Sequence, residues 1–161
     1  MKQEKNKNKT SRGFTLLEIM LVISLIAILA VILIFTINPA RRLSEAHNAQ
    51  RKVDVNAIVN AVYQYAIDNN GNLPDSISVG TDDACTEPSH EICRTGLSCG
   101  NVDLSVLTND QRYLTSIPID PSGNGFASGD GAGYLIEKNS NGRVHVCAPR
   151  AELGTSITIT R

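Results

Sequence analysis

A single carboxylate lies inside the most apolar stretch of the sequence, and it is the first candidate for chemistry. An apolar run extends from Phe14 to Ile37, and Glu18 lies four residues after its start. An ionised carboxylate in hydrocarbon is costly unless it is paired, so such residues are functional candidates. The simpler interpretation is that Glu18 lies close enough to an interface to reach water or to be protonated.

The four cysteines are the second candidates, and all lie in the C-terminal half of the chain: Cys85, Cys93, Cys99 and Cys147. An even number in an oxidising compartment predicts two disulfides, for which three connectivities exist. We favour Cys85–Cys93 with Cys99–Cys147, because this pairing closes one local loop and ties a second loop to a strand. A zinc site is the alternative, but the spacing contains no C-x-x-C pair.

A segment rich in turn residues resembles the first half of a calcium-binding loop. Asp120, Ser122 and Asn124 place oxygen-bearing side chains at alternate positions before a glycine. The closing glutamate is missing, since Gly131 takes its place beside Asp130. An ordinary Pro/Gly turn is therefore the favoured interpretation, with no cofactor and only a weak indication of calcium.

Residues typical of catalysis form no recognisable constellation. The three histidines are scattered along the sequence: His47, His90 and His145. The H-E-x-x-H, G-x-S-x-G and P-loop motifs do not occur. The sequence therefore predicts a protein that is not an enzyme.

The charges are segregated along the chain although they nearly cancel in total. The 161 residues hold 15 Lys+Arg and 16 Asp+Glu, a formal net charge of −1. Residues 1–13 hold five basic residues and one acid, which leaves a net charge of −5 for the remainder. This balance argues against general nucleic-acid binding, although a local basic patch around Arg143 or Arg150 stays open.

The apolar run from Phe14 to Ile37 is long enough to cross a membrane. Its 24 residues extend about 36 Å as a helix, against a hydrocarbon core of about 30 Å. A cleaved secretory signal has a shorter apolar region, and a chain of this size offers little protein to bury such a helix. The basic N-terminus predicts a cytoplasmic leader and an extracytoplasmic C-terminal region.

The residues around Glu18 resemble a known processing signal. The sequence Arg12-Gly13-Phe14-Thr15-Leu16-Leu17-Glu18 is similar to the class III signal of type IV pilins and type II secretion pseudopilins. The resemblance implies cleavage after Gly13 by a prepilin peptidase and N-methylation of Phe14. It also implies a helical homopolymer, built with an assembly ATPase and a platform membrane protein.

Elementary chemistry explains why such a signal has these residues. Gly13 lacks a Cβ, so extended backbone there can enter a narrow protease cleft. Cleavage leaves an amine on Phe14, and pairing that cation with the Glu18 carboxylate is far less unfavourable than leaving two separate charges in apolar surroundings. The pair can form within one chain or between subunits, and the resemblance favours the second, with Glu18 as the assembly residue.

The remaining pattern predicts one long helix. Between Phe14 and Asn70 there is no glycine and one proline, which indicates helix to about residue 68 with a kink at Pro39. The second half is amphipathic, with a stripe expected to pack on the head: Val55, Ile58, Val59, Val62, Tyr65 and Ala66. Its charged residues, among them Arg51 and Asp54, are expected to be mostly solvated, with some able to pair between subunits.

The head shows strand signals late in the chain. Alternation predicts strands over 133–138, 143–147 and 156–160, with a turn containing Asn141-Gly142 between the first two. A short helix is expected over 101–108. The predicted fold class is α+β: a long N-terminal helix, transmembrane in its first half and amphipathic in its second, packed on a three- to four-stranded antiparallel sheet as in type IV pilins.

These inferences define four regions and one function. The regions are a leader (1–13), a transmembrane and filament-core helix (14–37), an amphipathic half-helix (38–69) and a disulfide-stabilised head (70–161). The predicted function is a pilin that crosses the cytoplasmic membrane once before assembly and then forms an extracellular filament for adhesion, motility or DNA uptake. A pseudopilin of a type II secretion system is the first alternative, and a DNA-binding or adhesive minor pilin is the second.

Overall fold

The fold combines helices with one small sheet. The computed structural model describes residues 13–80 and 86–161, and the chain divides into two compact units between Pro39 and Ala40. The predicted α+β class is confirmed, since an apolar N-terminal helix and further helices accompany a four-stranded antiparallel sheet. Residues 1–12 of the predicted leader, and Cys85, lie outside the described residues.

The first helix, α1 (Leu16–Ile37), begins at a side-chain cap and ends at a left-handed residue. The hydroxyl of Thr15 accepts a hydrogen bond from the Glu18 N–H at 3.2 Å, which satisfies one of the free donors at the helix start. Asn38 follows with φ 45° and ψ 77°, a conformation that asparagine tolerates better than most residues. Helix α2 (Pro39–Asp68) begins at the next residue. Proline is favourable at a first helical position, because an N–H there would have no acceptor within the helix.

Helix α2 buries the predicted apolar stripe in the core of the head. The four branched residues of that stripe are at most 1% exposed: Val55, Ile58, Val59 and Val62. The helix stops near the predicted residue because Gly71 takes φ 87° and donates its N–H to the Ala66 carbonyl at 2.7 Å. This hydrogen bond is typical of helices that end at a glycine.

The sheet has the order β1 (Glu91–Cys93), β2 (Gly131–Lys138), β3 (Val144–Cys147) and β4 (Thr158–Thr160). The last three are the predicted strands, whereas β1 is too short to show alternation. The turn between β2 and β3 has Gly142 at φ 77°, with its N–H bonded to the Asn139 carbonyl at 2.9 Å. The helix expected over 101–108 is confined to α3 (Ser105–Thr108).

The cysteine pairing differs from the expected one. Cys93, at the end of β1, is bonded to Cys99, so the expected bridges Cys85–Cys93 and Cys99–Cys147 are both wrong. The cause is a local turn: the Leu97 N–H bonds to the Arg94 carbonyl at 3.1 Å and returns the chain towards β1. Cys147, on β3, is also in a disulfide.

Candidate functional site

The predicted processing segment lies just before α1. Gly13 and Phe14 are not helical, and both are exposed. A Cβ added at Gly13 would meet no neighbouring atom within 4 Å, and the Phe14 side chain is 77% exposed. The peptide bond between these residues is therefore accessible to a protease that binds extended backbone.

Glu18 lies in the first turn of α1 with its side chain exposed. A negative charge is favoured there, because the free N–H groups of a helix start carry partial positive charge. The carboxylate makes no ion pair with any residue in the ranges 13–80 and 86–161. Its side chain thus lies on the surface of the apolar helix, beside the segment predicted to be cut.

Helix α1 presents an apolar surface on every side. The span Leu16–Ile34 has a mean hydropathy of 3.1, and none of it is buried by residues 13–80 or 86–161. Two polar side chains are satisfied within the helix: the Ser24 hydroxyl donates to the Leu21 carbonyl and the Thr36 hydroxyl to the Ile32 carbonyl, each at 2.8 Å. Such a helix is compatible with lipid, and equally with a bundle of similar helices.

A buried ion pair joins α2 to the head. Nothing in the sequence indicated this pair. Arg51 is 1% exposed and forms two parallel hydrogen bonds to Asp120, from Nε at 2.7 Å and from Nη2 at 3.0 Å. Its Nη1 donates to Glu152 at 2.9 Å and to Asn48 at 3.1 Å. The expectation that Arg51 is solvated is therefore wrong, because a partner distant in sequence satisfies its charge.

The same expectation is wrong for Asp54, which is 6% exposed. Its carboxylate accepts a hydrogen bond from the Tyr134 hydroxyl at 2.6 Å and another from the Gln50 amide at 2.7 Å. Burial and the contact with Asp54 raise the pKa of Tyr134, so the phenol stays protonated as a donor. This contact joins α2 directly to strand β2.

The two carboxylates that contact Arg51, those of Asp120 and Glu152, both have lowered pKa values. Burial would raise the pKa of Asp120, but hydrogen bonds from Arg51 and Ser122 outweigh it and hold that pKa below its usual range. Hydrogen bonds from Ser44, Arg51 and His47 lower the pKa of Glu152 to about 2. Both carboxylates are therefore ionised at neutral pH.

The glycine-rich loop between Asp120 and β2 is held through its carbonyl groups by two further arginines. Arg94 donates to the Gly131 carbonyl at 2.8 Å and to the Gly123 carbonyl at 2.9 Å. Arg150 donates to the Gly125 carbonyl at 2.5 Å. These are the kinds of oxygen that a calcium ion would use, and here guanidinium groups bind them.

N–H groups of the same loop, and that of Gly133 in β2, converge on a buried carboxylate. Glu91, fully buried in β1, accepts hydrogen bonds from the N–H groups of Phe126, Ala127, Ser128 and Gly133. A Cβ at Gly131 would lie 2.1 Å from the Glu91 carboxyl carbon, so any larger residue there would displace the carboxylate. Sequence reasoning missed Glu91, because a three-residue strand gives no pattern that marks its acid as buried.

The weak indication of calcium stays a prediction. Asp120 forms an ion pair with Arg51, while Asn124 and Asp130 are exposed. Within the described parts of the chain, no group of three or more His, Cys, Asp or Glu side chains converges to hold a metal ion. The loop is thus ordered by side chains of the protein itself.

Comparison with known proteins gives one match, and it covers the segment predicted to be processed. Residues 8–34 match the family model described as the prokaryotic N-terminal methylation motif. This motif is the class III signal of type IV pilins and pseudopilins, so the resemblance predicted from residues 12–18 is confirmed. No curated protein and no solved structure matches the chain.

The motif and the fold together indicate the class of protein. A membrane-compatible N-terminal helix that carries this signal, followed by a helix packed on an antiparallel sheet, is consistent with a pilin-like architecture. The motif supports a type IV pilin or pseudopilin, which is a structural protein anchored in a membrane before assembly.

Proposed function

We propose that this chain is the structural subunit of a type IV pilus. The observation that carries the proposal is the methylation motif at residues 8–34, placed on a helix whose apolar surface the described residues leave exposed. A helix of this kind needs lipid before assembly and other apolar helices afterwards. Polymerisation supplies the second environment, with copies of the same helix as neighbours.

Processing comes first in the proposed sequence of events. A prepilin peptidase cuts between Gly13 and Phe14, in the exposed backbone ahead of α1, and the new Phe14 amine is methylated. The basic leader stays in the cytoplasm, and the head lies on the other side of the membrane. An assembly ATPase and a platform membrane protein then drive filament growth.

Charge pairing sets the register of the filament. The Phe14 amine of one subunit and the Glu18 carboxylate of a neighbour neutralise each other inside an apolar bundle, where either charge alone is strongly unfavourable. A subunit shifted along the axis leaves both groups unpaired. Assembly therefore selects the arrangement in which every pair is made.

A pseudopilin of a secretion system is the second candidate, because its N-terminal signal is the same. The two functions differ in the polymer, since a pilus is a long extracellular fibre and a pseudopilus is a short periplasmic one. Shearing the cells and imaging the released material by electron microscopy distinguishes them. Long fibres that contain this chain support the pilus, and their absence from piliated cells overturns it.

Mass spectrometry of the assembled protein tests the processing. A mature chain that starts with methylated Phe14 is expected, whereas an intact leader in assembled material contradicts the proposal. The charge pair is tested by Glu18→Ala, which should still insert into the membrane but yield few fibres. Ser24→Ala is the matched control on the same helix, because that hydroxyl bonds only to a carbonyl of its own chain.

A further inference from the structure

An exposed leucine occupies an unfavourable backbone position at one end of the head. In the turn Glu152–Thr155, the Thr155 N–H bonds to the Glu152 carbonyl at 3.2 Å, and Leu153 and Gly154 have φ of 60° and 65°. Turns with positive φ at both central positions normally hold Asn, Asp or Gly there. Leu153 is instead 54% exposed, so the fold presents an apolar side chain to solvent at a conformational cost.

Hydrogen bonds to the backbone and carboxylate of Glu152 fix the turn to α2. The Asn48 side chain accepts from the Glu152 N–H at 2.9 Å and donates to the Glu152 carbonyl at 2.8 Å. The Glu152 carboxylate accepts from Arg51 at 2.9 Å. The backbone that carries Leu153 is therefore held in one position, and a contact made there would lose little backbone entropy.

An apolar groove lies near the other end of α2. It is an open cavity of about 500 Å³ between the end of the helix and the β2–β3 turn. Its apolar lining includes two strongly exposed residues, Ile67 at 78% and Val79 at 61%, together with Leu73. Lys138 stands at its rim and supplies a positive charge.

The two features lie too far apart to meet within one molecule. Asn48, which holds the turn, and Ile67, which lines the groove, are 19 residues apart on α2, or about 28 Å along its axis. The groove can therefore accept Leu153 only from another copy. Charge also matches: Arg51 pairs with both Asp120 and Glu152, so the cluster beside Leu153 keeps one net negative charge, and Lys138 lines the groove.

We propose that the Leu153 turn of one copy docks in the Ile67–Val79 groove of the next copy. Because the two surfaces differ, the contact is heterologous, and repeating it builds an open chain of heads and not a closed dimer. The inference rests on the proposed function, since it adds a contact between heads to the polymer held by the N-terminal helices.

Assembly of the full-length protein tests the contact with surface variants that do not disturb folding. Leu153→Gly removes the side chain in a position that glycine adopts freely, and Ile67→Ser alters a residue that is mostly exposed. Each is expected to weaken the contact about tenfold and to lower fibre yield and resistance to shear, with no fall in the melting temperature of the head. The double variant should be no worse than the more harmful single one, because both remove the same contact.

Leu97→Ser is the matched control, since Leu97 is 47% exposed and lies outside both surfaces. Normal fibres from Leu153→Gly, additive losses in the double variant, or an equal loss in the control would overturn the docking. Glu18→Ala separates this result from the proposed function. Loss of fibres in that variant with normal fibres from Leu153→Gly rejects the head contact alone, whereas normal fibres from Glu18→Ala reject the helix register.

Discussion

Replacing Asp120 by alanine should destabilise the head by about 3 kcal/mol, although no apolar contact is lost. The Arg51 and Asp120 side chains are 1% and 0% exposed, and two hydrogen bonds at 2.7 Å and 3.0 Å join them. Removing one member of a buried pair leaves an uncompensated charge, which lowers the free energy of unfolding by about 3–5 kcal/mol. The lower value applies here because Arg51 keeps Glu152 and Asn48 as partners.

Thermal unfolding followed by circular dichroism on the full-length chain in detergent measures the effect. A loss of about 3 kcal/mol corresponds to a melting temperature lower by about 10 °C for a unit of this size. Glu45→Ala is the matched control, because that carboxylate pairs with Arg41 and Arg42 at the surface and should cost less than about 1 kcal/mol.

The double variant Arg51→Met with Asp120→Leu makes the test decisive. Replacing both charges by apolar side chains should restore most of the stability, because no fully buried charge is left unpaired and the partly exposed Glu152 keeps its hydrogen bonds from Ser44 and His47. The reasoning is refuted if Asp120→Ala melts within about 2 °C of the wild type. It is refuted equally if the double variant loses as much stability as its two single variants together, since that would show that packing and not charge is responsible.

Three further predictions concern the same region. Because the pKa of Glu152 is lowered from 4.5 to about 2, the stability it contributes is present above pH 4.5 and is lost as the pH falls towards 2, and Glu152→Gln should flatten an acid titration of unfolding in this window. Glu91→Ala should leave loop N–H groups without an acceptor, and hydrogen exchange at Ala127 should accelerate by an order of magnitude or more. Tyr134→Phe should remove the bond to Asp54 and cost about 1–3 kcal/mol in a urea titration.

Local patterns were sufficient for the two long helices, three strands of the sheet and the processing signal. The end of α2 at Asp68 followed from a glycine and a proline just beyond it, and the β2–β3 turn followed from Asn141-Gly142 between alternating residues. The motif at residues 8–34 is likewise a contiguous stretch. Such features are set by interactions between residues a few positions apart, so their signals are present in the order of the amino acids.

Tertiary structure decided which polar residues are buried and which groups pair. On the helix pattern alone Arg51 belongs to a solvated face, and only the approach of Asp120, 69 residues later, makes its burial favourable. Glu91 became the acceptor for a whole loop in the same way, and a turn after β1 selected Cys99 as the partner of Cys93. A buried charge can be neutralised by any opposite charge, and a cysteine can form a disulfide with any other cysteine. Packing of the complete chain determines which of these partners comes within reach.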